Sequence, residues 1–132
     1  MSAMKSHLTV VAACIRRAQE VLLCQRNEND AFGLLWEFPG GKVEAGESLP
    51  EAIVREIEEE LGVRIQPENT LGVFEDENES LKITVHLIGA RIAAGDPAAC
   101  DCRDFKWVEI RELDSFDLAP VDKKIAAFLR EK

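Results

Sequence analysis

Gly41 opens a stretch in which glycine, acid and arginine recur at set intervals: Gly41, Glu47, Arg55, Glu56, Glu59, Glu60 and Gly62, with Ile57 and Val63 at the apolar positions between them. Glu56, Glu59 and Glu60 crowd three carboxylates into five residues, and such groups repel one another unless a cation sits between them. Hard oxygen donors at this density suit Mg²⁺ or Mn²⁺, which keep part of their water shell and bridge phosphate groups. Gly40 and Gly41 relax the backbone so that a carbonyl can turn toward an ion. Arg55 can brace Glu47 and so orient the ligands. The run EIEEE alone reads equally well as a solvated helix face. The glycines, Glu47 and Arg55 at their offsets turn the reading toward a metal site.

Those side chains need a helix to carry them. Ser48 with Glu51 three residues on forms a capping-box signature, and Gly62 supplies a C-terminal stop, which predicts a helix over 49–61. At about 100° per residue, Leu49, Ile53, Val54, Ile57 and Leu61 gather on one side, and Glu56, Glu59 and Glu60 fall on a neighbouring arc. Glu51 and Glu58 point to solvent. Ahead of the helix, 8–15 and 21–26 read as a hairpin, 27–33 as a loop, and LLWEF as a strand running to the Pro39-Gly40-Gly41 breaker. Behind it lie strand-like segments at 70–75, 81–92 and 105–110 and a helical pattern at 121–129. Strands, helix, strands, helix is the order of an α+β or α/β sandwich.

The 132 residues fit one domain, 1–132, with 46% apolar and 31% charged composition and no run long enough to span a bilayer. The N-terminal stretch is too weakly patterned for a secretory signal, so a cytoplasmic protein is expected. A net charge of −9 argues against a surface that grips nucleic acid polymers or an acidic membrane. Cations bound among the acids would reverse the local sign and admit a phosphorylated small molecule. Cys14 and Cys24 sit in apolar strands, and Cys100 and Cys102 lack a second pair at zinc spacing, so reduced thiols are expected. His7 and His86 have no matched partners.

The pattern G-x5-E-x7-R-E-I-x-E-E-x-G-V from Gly41 to Val63 resembles the Nudix hydrolase box, with every specified position filled. The resemblance implies an α/β/α sandwich of the α+β class, its mixed central sheet flanked by the box helix and a C-terminal helix. It also implies attack of water on phosphorus in a nucleoside diphosphate linked to another group. By the same resemblance Gly40, through its carbonyl, and Glu56, Glu59 and Glu60 are the metal ligands, Mg²⁺ or Mn²⁺ the cofactor, and Glu56 and Glu59 the catalytic pair, Glu56 helping to deprotonate the water. Gly41, Glu47, Arg55 and Gly62 shape the motif. The flanking LWEFPGGK at 35–42 and LAPVD at 118–122 resemble the MutT-like and CTP pyrophosphohydrolase-like branch. In that branch an acid six residues before a strand Trp adds a ligand or base, a place taken here by Asp101 ahead of Trp107; a polar loop residue is the alternative. Arg26 and Lys42 become candidates for phosphate, and Phe38 and Asp122 for the nucleobase, against the plainer readings of a core ring and a helix N-cap. Trp36 and Trp107 are expected in the core. The expected activity is Mg²⁺-dependent hydrolysis of nucleoside triphosphates to monophosphate and pyrophosphate, by a monomer or homodimer. Hydrolysis of ADP-ribose, nucleotide sugars or dinucleoside polyphosphates, and a non-catalytic binding module, remain as alternatives.

Overall fold

In the computed structural model, which describes residues 5–131, strand β1 (Ser6–Arg17) organises the molecule. Its residues alternate between two cores: Val11, Ala13 and Ile15 pack on one face, Ala12 and Cys14 on the other. That explains an unbroken apolar run, since a strand covered on both sides has no polar face. β2 (Glu20–Gln25) returns antiparallel from the far end of β1. The next strands, β3 (Trp36–Glu37) and β4 (Gly40–Lys42), pair with β2 and β1 respectively.

Helix α1 (Leu49–Leu61) buries Ala52, Ile53, Ile57 and Leu61 against the first core. β5 (Arg64–Glu77) and β6 (Leu81–Ala94) form a long antiparallel ribbon, and β6 lies parallel to β1 from Ser6↔Leu81 to Ile15↔Ala90. β7 (Asp104–Glu109) pairs with β2, completing a seven-stranded mixed sheet. A 3₁₀ turn (Ile110–Ser115) leads toward α2 (Pro120–Arg130), whose Ile125, Ala126 and Leu129 cover the second core. This is the α/β/α arrangement of the α+β class.

Three boundaries depart from the sequence pattern. β5 begins at Arg64, ahead of the expected 70, and register shifts between Pro67 and Thr70 and between Thr70 and Gly72 break the period that would have revealed it. LLWEF supplies only Trp36–Glu37 as strand, because Leu34 sits in a left-handed conformation at φ 67° and ends the loop there. The N-cap of α2 is Ala119, with no side-chain cap, which leaves Asp122 inside the first turn and buried.

Candidate active site

The capping box of α1 is complete: Ser48 accepts from the Glu51 N–H, and Glu51 accepts from the Ser48 N–H. Gly62 closes the helix at φ 68°, a conformation that suits glycine. Gly40 is required by proximity, because a Cβ there would run into the Val11 carbonyl of β1. The Gly40-Gly41 strand therefore lies close against β1 on one side and the helix acids on the other.

Arg55 ties that loop to the helix. Its Nε donates to Glu47 Oε2 at 2.6 Å and its Nη2 to Glu47 Oε1 at 2.9 Å and to the Lys42 carbonyl at 3.0 Å. The guanidinium, with the Glu44 N–H, holds the Glu47 carboxyl down to about 2. Nη1 lies 2.9 Å from Glu56 Oε1 and 3.4 Å from Glu59 Oε1, so Arg55 places positive charge between those acids. The Glu56 side chain is 15% exposed and that of Glu59 56% exposed.

Glu60 is the deepest acid of the helix. Burial, then the nearby charges of Glu37 and Glu56, push its carboxyl up to about 9, opposed by the Gly40 N–H. Its Oε2 is buried with no hydrogen-bond partner, a costly state for a polar atom. Burial also raises Glu56, against the pull of Arg55. Gly41 leaves just the room the Glu56 carboxylate occupies, since a Cβ there would collide with it. Among the described residues no three acid, thiol or imidazole groups already converge as a ligand set. The donor chemistry nevertheless fits a hard divalent cation: an orphaned carboxylate oxygen, a second raised carboxyl beside it, and a third acid reaching solvent.

On the other side of Gly40 and Gly41 a cavity of about 490 Å³ runs to Asp122, bringing Arg26, Phe38, Lys42 and Asp122 to one space. The Phe38 ring is 3% exposed and belongs to the second core, so it reaches the cavity only marginally. Its N–H donates to Asp122 Oδ1 at 2.9 Å. Burial, then the charge of Glu37, raises the Asp122 carboxyl to about 8. Arg26 is already engaged, its Nη1 2.6 Å from Glu37 Oε1 and its Nε 2.6 Å from the Ala31 carbonyl. Lys42 and Asp101 are exposed. The Asp101 N–H donates to the Glu60 carbonyl at 3.2 Å, which ties its loop to the end of α1. Trp36 and Trp107 are half-buried, Trp36 edge-on to Phe116 and Trp107 under the Arg17 guanidinium.

Glu37 escaped the sequence reading. It is raised by burial against the pull of Arg26, and its charge acts on both Glu60 and Asp122. It stands inside the quoted WEFPGGK, next to Phe38 on a strand where alternation turns it the opposite way. Phe32, which also lines the cavity, gave no periodic signal because it lies in a loop.

A two-helix sandwich with buried acids beside a nucleoside-sized cavity defines a class of phosphoryl-transfer hydrolase. The NUDIX domain model matches residues 5–129, and the chain belongs to the Nudix family. It is a hydrolase of phosphoanhydride bonds. It is 37% identical over 123 residues to a putative 8-oxo-dGTP diphosphatase 2 of Mycobacterium tuberculosis, covering 86% of this chain and 82% of that one. It is 35% identical over 115 residues to the CTP pyrophosphohydrolase of Escherichia coli, covering 87% and 85%. The crystal structure of a MutT protein from Methanosarcina mazei superposes with a TM-score of 0.84 at 27% identity, covering 98% and 95%.

Proposed function

We propose that this chain hydrolyses nucleoside triphosphates, including modified ones, to the monophosphate and pyrophosphate, and so clears unwanted nucleotides. The observation that carries this reading is the continuity of one cavity from Asp122 to the Gly40-Gly41 strand, behind which Glu56 and the partnerless oxygen of Glu60 lie. A base at one end would leave the phosphates at the acids. The two relatives named for nucleoside triphosphate substrates, both aligned over most of their length, support the same substrate class.

Glu56, Glu59 and Glu60, with the Gly40 carbonyl, would hold Mg²⁺. The ion would polarise the phosphate oxygens and offset their charge. The attacking water bonds to one phosphorus, the bridging P–O bond on that phosphorus breaks, and the pyrophosphate or nucleotide fragment departs with the electron pair. Glu56 takes the water proton; its carboxyl is raised by burial, which makes the anion a better base near neutrality. Arg55 keeps Glu56 and Glu47 in place, and Asp101 stands at the open side of the helix end as a further acid. Lys42 at the exposed rim meets phosphate, and Asp122 meets the base edge, donating when protonated and accepting when ionised.

The test is incubation with a panel of nucleoside triphosphates, nucleotide sugars and dinucleotides in the presence of Mg²⁺, with products resolved by chromatography. Turnover confined to sugar or dinucleotide substrates rejects the proposal. Glu59→Gln should cost orders of magnitude in kcat with an unchanged circular dichroism spectrum, whereas a binding module has no turnover to lose.

A further inference from the structure

The cavity presents an aromatic ring that nothing above employs. Phe32 is 56% exposed, although it lines the same space as Asp122 and Val121. The other ring at this cavity, Phe38, is 3% exposed and packed into the second core. Phe32 also sits at φ 56°, and Leu34, two residues on, at φ 67°, a region that bulky residues seldom occupy and that persists only when the surroundings over-determine it.

Here the surroundings do so. Arg26 Nε holds the Ala31 carbonyl at 2.6 Å, immediately before the ring. The Leu34 N–H returns to the Arg26 carbonyl at 3.1 Å, and the Leu35 N–H closes on the Phe32 carbonyl at 3.2 Å. Gln25 Nε2 adds a bond to the Leu34 carbonyl at 3.1 Å. Arg26 is anchored in turn on Glu37, so the Phe32 backbone is fixed relative to strands β2 and β3. A hydrophobic ring kept out of the core, in an unfavourable backbone conformation and at the mouth of a cavity otherwise walled by aliphatic side chains such as Leu8, Val10, Ile83 and Val121, is positioned to meet a flat ligand.

We propose that Phe32 is the aromatic wall on which the substrate's nucleobase stacks, held there by Arg26, whose part is to anchor the loop. This rests on the nucleoside triphosphate reading given above. Stacking is tolerant of base identity because every base offers a π-face, so Phe32 supplies affinity for a nucleobase while the polar edge contacts at Asp122 discriminate among bases.

The test is steady-state kinetics of wild type, Phe32→Ala, Phe32→Leu and Phe32→Trp on the nucleoside triphosphate that wild type turns over best. Phe32→Ala is expected to raise KM by about 5- to 100-fold, the range found when a base-stacking ring is truncated, with kcat within about threefold. Phe32→Trp should restore KM and Phe32→Leu should not. An unchanged KM in Phe32→Ala overturns the proposal, as does restoration by Leu equal to that by Trp, which would mean simple apolar contact. A fall in kcat at constant KM also overturns it, by assigning the ring to loop positioning. Absence of any triphosphate turnover in wild type instead rejects the functional reading. In that event calorimetric titration of wild type and Phe32→Ala with nucleoside monophosphates decides the stacking by itself, and equal affinities reject it.

Discussion

Glu60 is placed where a carboxylate is least welcome: buried, facing the charges of Glu37 and Glu56, and with Oε2 unpaired. Its location makes sense as an arrangement for a cation that enters later, at the expense of the metal-free state. Glu60→Gln should therefore stabilise the metal-free protein, on the order of 1 kcal/mol after the amide's own burial cost, and shrink the rise in Tm that Mg²⁺ produces. Urea titration in EDTA and thermal melts with and without Mg²⁺ read both effects. A variant that is less stable yet equally stabilised by Mg²⁺ would sink this account. The spacing of the box made Glu60 legible as a member of the acid cluster, because the motif lies on one helix. It could not reveal Glu37, whose charge acts on Glu60 and Asp122 and whose cation is Arg26. Those partners arrive from three other parts of the chain, and only the folded sheet brings them together.

At the scale of elements, α1 is held at its N-terminal end by a capping box and along its side by Arg55. Ser48→Ala removes the side-chain acceptor for the Glu51 N–H and should cost about 0.5–2 kcal/mol in urea unfolding. Activity per folded molecule should stay near wild type, because the lost bond lies at the opposite end of the helix from Glu60. Arg55→Ala is expected to behave differently. It frees the loop at Glu47 and Lys42 and leaves Glu56 and Glu59 without their shared cation, so divalent-metal affinity should fall by about 10- to 100-fold, the usual loss when a group orienting metal ligands is removed. Titration with Mn²⁺ followed by paramagnetic resonance measures it, and an affinity equal to wild type would show that the brace has no bearing on the ligands. The helix was readable to the residue, 49–61, because capping and periodicity agree. β5 was readable only in its second half, since its bulges reset the alternation on which strand recognition depends.

On the whole-molecule scale the cavity is assembled from β1, the 27–35 loop, β4, β6 and the first turn of α2, and its deepest polar group is Asp122. The motif LAPVD marked Asp122 as a candidate for the base, but its burial and its tie to the Phe38 N–H depend on β3 meeting α2, a contact between segments far apart in sequence. Burial raises the Asp122 carboxyl from its ordinary 3.8 to about 8. Between those values the folded protein keeps a proton that the unfolded chain has released, so the unfolded state binds fewer protons and stability falls as pH rises. The loss begins near pH 4 and levels off above about 8. Its slope approaches about 1 kcal/mol per pH unit in the middle of the window. Asp122→Asn keeps an oxygen to accept from Phe38 and has no proton to lose, so its stability should decline less steeply. Glu37 and Glu60, also raised, are present in both proteins, and the difference between the two curves isolates Asp122. Urea unfolding of wild type and Asp122→Asn in EDTA at pH 5, 6, 7 and 8 should show a gap that widens in favour of the variant with each step. Parallel curves would mean that Asp122 is ionised throughout, and its part at the base edge would then be that of an acceptor alone.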